Sequence, residues 1–330
     1  MASTTSCAII GAGISGLLAA RELTNAGWSV TVLDKGRGVG GRMATRRFGG
    51  GNFDHGAQFF TSRSDLFGGL VEGWIEAGAA AVWSRGLAGP EGERPADGHP
   101  RYRGANGMNS VPKYLAEGLE VHTGERVVGI ERSGSGWKVG AESGLSVESD
   151  AIIVTAPAPQ AIALTEGVVS GHVRENLEGI SYAPCFAVMV LTDEPVELPE
   201  PGGIQVKGEP LNWISDNRMK GISDAPAITI HAGPEWSREH LEDDEDSVIE
   251  ALVSEAGVFL GVDLAARARE TSVIRWLYSM VTENYPERFL IGSNEPPLVF
   301  CGDGFGEAKV EGASLSGLAA AAWMKSRASR

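Results

Sequence analysis

Hydrophobic and polar positions repeat with a changing period along this chain, and the changes mark its elements. Residues 7–10, Cys-Ala-Ile-Ile, are continuously apolar, the pattern of a parallel strand buried on both faces. Gly11-Ala-Gly-Ile-Ser-Gly16 follows at once. Leu17, Ala20 and Leu23 then recur at helical spacing, and Asn25-Ala-Gly27 supplies a stop signal. Val30 and Val32 alternate in a second strand that ends on Asp34. The pattern predicts strand, tight turn, helix, strand.

Further along, residues 64–86 predict a helix, with Leu66, Leu70, Trp74 and Ile75 as its apolar stripe. Residues 89–98 form a polar loop rich in glycine and proline. Residues 104–119 read as a glycine-rich turn and a short helix, and 120–150 as a small antiparallel meander. Residues 151–159 are a buried strand broken by prolines. Strand-like runs at 180–192, 203–215 and 227–232 predict a second sheet. The acidic run 239–246 reads as a solvated helix start rather than a metal site, and 247–259 continue it as an amphipathic helix. Residues 297–303 are a strand and turn before the last helix.

Composition narrows the classes. The chain has 330 residues, 42% of them hydrophobic, and a net charge of −15; it is long enough for two domains and lacks the positive field that nucleic acid or an acidic membrane would need. Cys7, Cys185 and Cys301 stand far apart, which fits a reducing compartment and gives neither a disulfide framework nor a zinc site. Six histidines show no metal-ligand spacing. The apolar N-terminal run has no basic residue before it and is broken by glycines, so it reads as part of the nucleotide unit and not as a signal peptide. No run reaches the roughly 18 apolar residues of a membrane span. A cytoplasmic protein is expected, with no nucleic-acid or membrane partner; oligomeric state is open.

The first glycines carry the chemistry. Gly11 permits the turn, Gly13 lets a pyrophosphate approach the backbone, and Gly16 allows close packing of helix on strand. The pyrophosphate would sit at the helix N-terminus, on the backbone of Ile14 and Ser15. Asp34, 23 positions after Gly11, suits a ribose hydroxyl. A second glycine pair and an arginine, Gly40-Gly41-Arg42, would bring more N–H groups and a guanidinium to the same phosphates.

Here the chain resembles the flavin-containing amine oxidase superfamily, whose fingerprint runs from the ribose acid into Gly-Gly-Arg. More narrowly, Asp54-His-Gly-Ala-Gln-Phe-Phe-Thr61, the segment from Gly107 to Lys113, Asn212 to Lys220, Ile230 to Ser237, and Arg275 to Ser279 resemble its renalase-like branch. Gly302-Asp303, followed by Val310-Glu-Gly-Ala313 and Ser316-Gly317, resembles the flavoprotein Gly-Asp box. The resemblance implies an α/β fold: a Rossmann-type FAD-binding domain and a second, sheet-containing substrate domain, in the two-domain architecture of amine oxidases and p-hydroxybenzoate hydroxylase. The expected division is 1–63, 104–160 and 272–330 for FAD, and 64–103 with 161–271 for substrate. It implies non-covalent FAD, with Gly11, Gly13, Ile14, Ser15, Gly16, Asp34, Lys35, Gly41, Arg42, Val127, Gly302, Asp303, Val310, Glu311, Gly312 and Ala313 as its contacts and no metal. Cys301 beside Gly302 is the one thiol placed for a covalent link; its position at a strand end favours a non-covalent cofactor.

The resemblance further implies oxidation of 2- and 6-dihydro isomers of NAD(P)H by hydride transfer to flavin. O2 would reoxidise the flavin and give hydrogen peroxide. Gln58, Phe59, His231 and Trp276 are the candidates for the substrate site. His231 reads equally as a satisfied strand histidine, and Trp276 reads more readily as core than as a substrate contact. No triad or carboxylate dyad can be assembled, and a dihydropyridine, already a good hydride donor, needs no base. Arg218, Lys220 and Arg275 are the cations expected to meet substrate phosphates. The alternatives are an amine or amino-acid oxidase, a flavin protein without catalysis, and, last, a nicotinamide dehydrogenase, in which the Gly-Gly-Arg and Gly-Asp segments would be idle.

Overall fold

The structure is a computed structural model, and it describes residues 4–92 and 98–328. It divides into two compact units. The first comprises residues 1–41, 112–181 and 281–330, the second residues 42–111 and 182–280.

The first unit is built on a six-stranded sheet in the order Leu290–Asn294, Pro297–Phe300, Ala151–Val154, Ser6–Ile10, Ser29–Asp34, Glu120–Thr123. All pairs are parallel except the hairpin of the first two strands. The continuous apolar runs follow from this: Ala8, Ile9, Ile152, Ile153, Leu298 and Val299 are buried on both faces. The meander expected over 120–150 is shorter than that. Glu120–Thr123 joins the main sheet beside Ser29–Asp34, and only Val127–Ser133, Gly136–Ala141 and Ser146–Ser149 form the antiparallel three-stranded sheet.

Two helices fix the nucleotide end of this unit. Helix Ile14–Asn25 lies against helix Lys309–Ala328, and the approach is close enough that a side chain on Gly317 would run into the backbone of Ser15. A Cβ on Gly16 would strike the carbonyl of Gly11. Glycine at both places lets helix meet helix and helix meet turn.

The second unit holds a five-stranded sheet in the order Gly203–Gln205, Leu211–Asp216, Ala227–Ala232, Ser181–Thr192, Ala268–Glu283. Helix Glu245–Leu260 packs its buried face, Val248, Leu252, Val253 and Ala256, on the same apolar cluster as Val188, Ile214, Ile228 and Ile230. That helix starts where Asp244 accepts from the Ser247 N–H at 2.9 Å, a cap worth about 1 kcal/mol, and stops at Gly261 in the left-handed region. The expected helix over 64–86 ends early. It spans Asp65–Glu76, Gly78 breaks it at φ +71, and Ala80–Ser84 pairs as a strand with Arg101–Gly104. The expected loop 89–98 lies partly outside the described residues.

The division differs from the expected one over residues 42–63, 104–111 and 272–280, which fall in the second unit, and over residues 161–181, which fall in the first. The hairpin Thr45–Phe48 and Gly51–Asp54 explains the first: its Phe53 is buried with Met189, Leu191 and Ala227 of the second sheet. The turn after Gly104 explains the second, because Gly107 at φ +109 lies directly on Thr45. Among the described residues no helix is long and apolar enough to cross a membrane, and no group of three or more His, Cys, Asp or Glu is placed to hold a metal ion.

Candidate active site

In the first unit, the turn after Ser6–Ile10 is held by its own strand and by Asp34. Gly11 adopts φ +112 with Thr155 Oγ1 where a side chain would go. Asp34 accepts from Ala12 N and from Gly36 N, each at 2.6 Å. Gly40 N then donates to Ala12 O at 2.8 Å, so residues 36–41 lie along the Gly11–Gly13 turn. Gly41 is left-handed at φ +53. Asp34 therefore serves the turn with both of its carboxylate oxygens.

Gly13 differs from Gly11 and Gly16 of the same turn. It is extended, φ −76 and ψ 178, and an added Cβ would meet no atom of the chain within 4 Å. Nothing in the chain's own packing asks for glycine there. It is also the N-cap of helix Ile14–Asn25, and no side chain caps that end, which leaves first-turn N–H groups for an anion. An open cradle at an uncapped helix end fits a pyrophosphate.

The other predicted cofactor residues of this unit fall as follows. Ile14 and Ser15 are buried, and Ser15 Oγ pairs with Cys301 Sγ at 3.4 Å, so the Ser15 hydroxyl is already engaged. Lys35 is exposed and donates to Gln160; burial of its stem lowers its pKa, with Arg126 adding to the effect. Val127 is a buried strand start. Gly302, at φ +139, donates its N–H to Ser316 Oγ at 2.8 Å, and Ser316 in turn donates to Arg288 O. Asp303 is half-buried, and Val310, Glu311, Gly312 and Ala313 form the first turn of the last helix. Cys301 is inaccessible, and burial pushes its thiol up to about 12; it is not a thiolate nucleophile.

In the second unit the predicted Asp54–Thr61 string organises a polar cluster. Asp54 and Lys220 form an ion pair of 2.8 Å with both side chains fully buried. Asp54 also accepts from Thr45 Oγ1 at 2.6 Å and Met108 N at 2.8 Å. Its carbonyl receives Gln58 Nε2 at 2.5 Å, while Gln58 Oε1 accepts from Ser215 Oγ at 2.9 Å. Gln58 Nε2 also lies 3.3 Å from His231 Nε2. Trp276 donates to His55 O at 2.9 Å and stacks on the His55 ring at 5.4 Å. Gln58, His231 and Trp276 are thus brought together around the backbone of Asp54 and His55.

Phe59 points elsewhere. It meets Trp83 and Trp213 at 6.1 and 5.9 Å, and those two meet edge-on at 6.2 Å. Gly203 is where both indoles lie against the backbone, since a Cβ there would come within 2.6 Å of Trp83 and 2.9 Å of Trp213. Arg42 donates to Tyr278 O at 3.1 Å, with its guanidinium 6.0 Å over Tyr182; its carbonyl is held by Ala57 N.

Both imidazoles are neutral. Burial lowers the His231 pKa to about 3, helped by neighbouring His55 and Lys220. Burial likewise lowers His55 to about 4, against the opposing pull of Asp54. Lys220, expected to meet substrate phosphate, is withdrawn from that role: it is 1% exposed and committed to Asp54. Sequence reading passed over His55, Asp54, Trp83 and Trp213. A lone Asp or His gives no spacing signal, and the Asp54–Lys220, His55–Trp276 and Trp83–Trp213 contacts each join residues more than 100 positions apart.

Two sequence-family models match: an NAD(P)-binding Rossmann-like domain over residues 9–70, and a flavin containing amine oxidoreductase over residues 66–324. The chain belongs to the flavin containing amine oxidoreductase family. It is an oxidoreductase of the kind that works through a flavin. Renalase of Mus musculus is 27% identical over 94% of this chain and 96% of its own length. Putrescine oxidase with putrescine bound superposes with a TM-score of 0.75 at 17% identity, covering 98% of this chain and 99% of that one. A double variant of the same enzyme gives 0.76 at 18% identity, covering 98% and 100%. At those identities the two structures establish the fold, a mixed α/β one with a Rossmann-like nucleotide domain.

Proposed function

We propose that the flavin is FAD, held without a covalent bond, and that the chain is a renalase-like oxidase of 2- and 6-dihydro-NAD(P), with O2 as the second substrate and hydrogen peroxide as product. The observation that carries the cofactor is Gly13, a glycine with no internal reason, at an uncapped helix end. The turn backbone from Gly11 to Gly16, with Gly41 and Arg42, would hold the pyrophosphate. Asp34 would hold a ribose. Lys35, Val127, Gly302, Asp303 and the Val310–Ala313 turn would serve the rest of the cofactor. When bound, the flavin supplies the hydride acceptor and the route to O2.

What supports the substrate is the absence of a base in the polar cluster of the second unit. His55 and His231 are neutral with pKa values far below 7, and the Asp54 carboxylate is spent on Lys220, Thr45 and Met108. Such a cluster orients a ligand and excludes water; it does not strip protons. A dihydropyridine needs only to be held for hydride loss. Similarity to renalase over nearly the whole chain points the same way. The family's amine oxidation is the second reading, favoured by the Phe59, Trp83 and Trp213 wall.

The test is the anaerobic loss of flavin absorbance on mixing the yellow protein with each dihydronicotinamide isomer and a panel of amines. Fast bleaching by the isomers alone is expected. Fast bleaching by an amine and none by either isomer moves the assignment to the second reading, and a protein that takes up no FAD removes both.

A further inference from the structure

We propose that Gln58 is a positioning residue whose amide locks His231 as the neutral imidazole protonated on Nδ1, so that His231 holds the cluster in place and never takes a proton from substrate. The orientation of the amide is fixed by its neighbours. Gln58 Nε2 lies 2.5 Å from Asp54 O and 3.3 Å from Gly56 O; turned over, the amide would press its oxygen onto two carbonyls. Ser215 Oγ donates to Gln58 Oε1 from the other side, and Asp54, Gln58 and Ser215 are all buried. The NH2 therefore faces His231 Nε2 at 3.3 Å. A proton on that nitrogen would set N–H against N–H, so Nε2 must accept, and the ring proton sits on Nδ1.

The remaining surroundings keep the ring uncharged. The carbonyl of neighbouring His55 receives Trp276 Nε1 at 2.9 Å. The ring's neighbours in register are Ala187 and Trp213, neither of them ionisable. The titratable groups that act on it, His55 and Lys220, both disfavour a second proton, and the nearby Asp54 is neutralised by Lys220 at 2.8 Å. The chain Ser215, Gln58, His231 thus transmits one donor sense from two buried side chains to a half-buried imidazole. Asp54 is its anchor, since it holds Gln58 by its carbonyl and Lys220 by its carboxylate.

The functional meaning rests on the reading of this cluster as substrate-handling; the lock itself does not. The experiment is 15N NMR of histidine-labelled, FAD-loaded protein, recording the His231 ring nitrogens from pH 5 to 9. A protonated Nδ1 with an unprotonated, hydrogen-bonded Nε2, constant over that range, is expected. Gln58→Leu should shift the resonances toward a tautomer mixture, and Ser215→Ala, the milder change, should do so in part. Gln58→Asn, too short to reach, should not restore the parent pattern. A proton on Nε2 in the parent, a cationic ring at pH 7, or resonances unmoved in both Gln58→Leu and Ser215→Ala would overturn the lock. Should Gln58→Leu fail to fold, the parent spectrum and Ser215→Ala still decide. The substrate panel tests the oxidase reading separately: the lock can hold while no dihydronicotinamide reacts.

Discussion

Lys220 Nζ donates to Asp54 Oδ2 across 2.8 Å, and neither side chain is reached by solvent. Together they pin four separate segments: the two strands of the Thr45–Asp54 hairpin, the turn at Met108, and the turn after Asp216. Such a pair adds little net stability over an apolar one, but losing one partner strands a charge, at a cost of about 3–5 kcal/mol. Lys220→Met should therefore lower unfolding free energy by roughly that amount. The double variant Lys220→Met with Asp54→Asn should lose less than the sum of the two single changes, by at least about 1 kcal/mol. Urea denaturation of the four proteins measures both quantities; strict additivity would mean the pair is not coupled.

Gly13 gives a cofactor prediction that separates binding from folding. Gly13→Ala meets no atom of the chain and needs no special backbone angle, so the melting temperature of the flavin-free protein should stay near that of the parent. FAD affinity should fall, because the methyl group occupies the proposed phosphate cradle. Arg42→Ala should weaken retention by about ten- to a hundredfold, the value of roughly 1.5–3 kcal/mol for a charged hydrogen bond. Asp34→Ala should cost retention and stability together, since Asp34 also holds Ala12 N and Gly36 N. Fluorescence titration with FAD, beside thermal melts without it, distinguishes the three outcomes.

The two neutral imidazoles make stability fall in acid. The folded pKa values of His55 and His231 are about 4 and about 3, against an ordinary 6.5. Below 6.5 the unfolded chain takes up protons that the folded chain refuses, so their contribution is fully present above pH 6.5. It is lost progressively as pH falls through the window down to the folded values. Between pH 7 and pH 5 the loss should be on the order of a few kcal/mol for the pair. Denaturation midpoints at the two pH values check this, and His55→Gln should flatten the difference.

The first unit was legible in the sequence because its signals are local. Glycine spacing, a continuous apolar strand and a helix stop lie within 41 residues, and each answers to a backbone requirement seen at Gly11 and Gly16. The second unit was legible as strands and two helices, but not as a site. Residues 42–63 read as part of the nucleotide domain because they follow it in sequence, whereas Phe53 is buried against strands more than 130 residues away. Lys220 read as a cation for substrate phosphates because it lies in one of the renalase-like strings and the acidic chain would need positive charge at the site; only the fold shows its pairing with Asp54. Gln58, His231 and Trp276 were found through resemblance, and His55 was not, because its importance lies in its carbonyl and its stacking on Trp276.

With Lys220 committed to Asp54, the cations left to test against the phosphates of the proposed substrate are Arg218 and Arg275, both exposed. Arg275 is already engaged: it donates to Asp243 O at 2.7 Å and lies 5.4 Å over the Phe186 ring. Arg218 lines a polar cavity of about 640 Å³ with Asn52, Asn106, Ser223 and Asp224. That cavity is large enough for part of a dinucleotide, and a guanidinium there would offset the −15 charge of the chain locally. Arg218→Ala should raise KM for the dihydronicotinamide dinucleotide severalfold and leave kcat nearly unchanged, because a phosphate contact binds ground and transition states alike. The same change should leave the Kd for dihydronicotinamide riboside, which carries no phosphate, where it was. Arg275→Ala should cost less in KM and show instead as a small loss of stability. A Kd for the riboside that rises as much as KM for the dinucleotide would place Arg218 on the ring and not on the phosphates. An unchanged KM would remove Arg218 from the site.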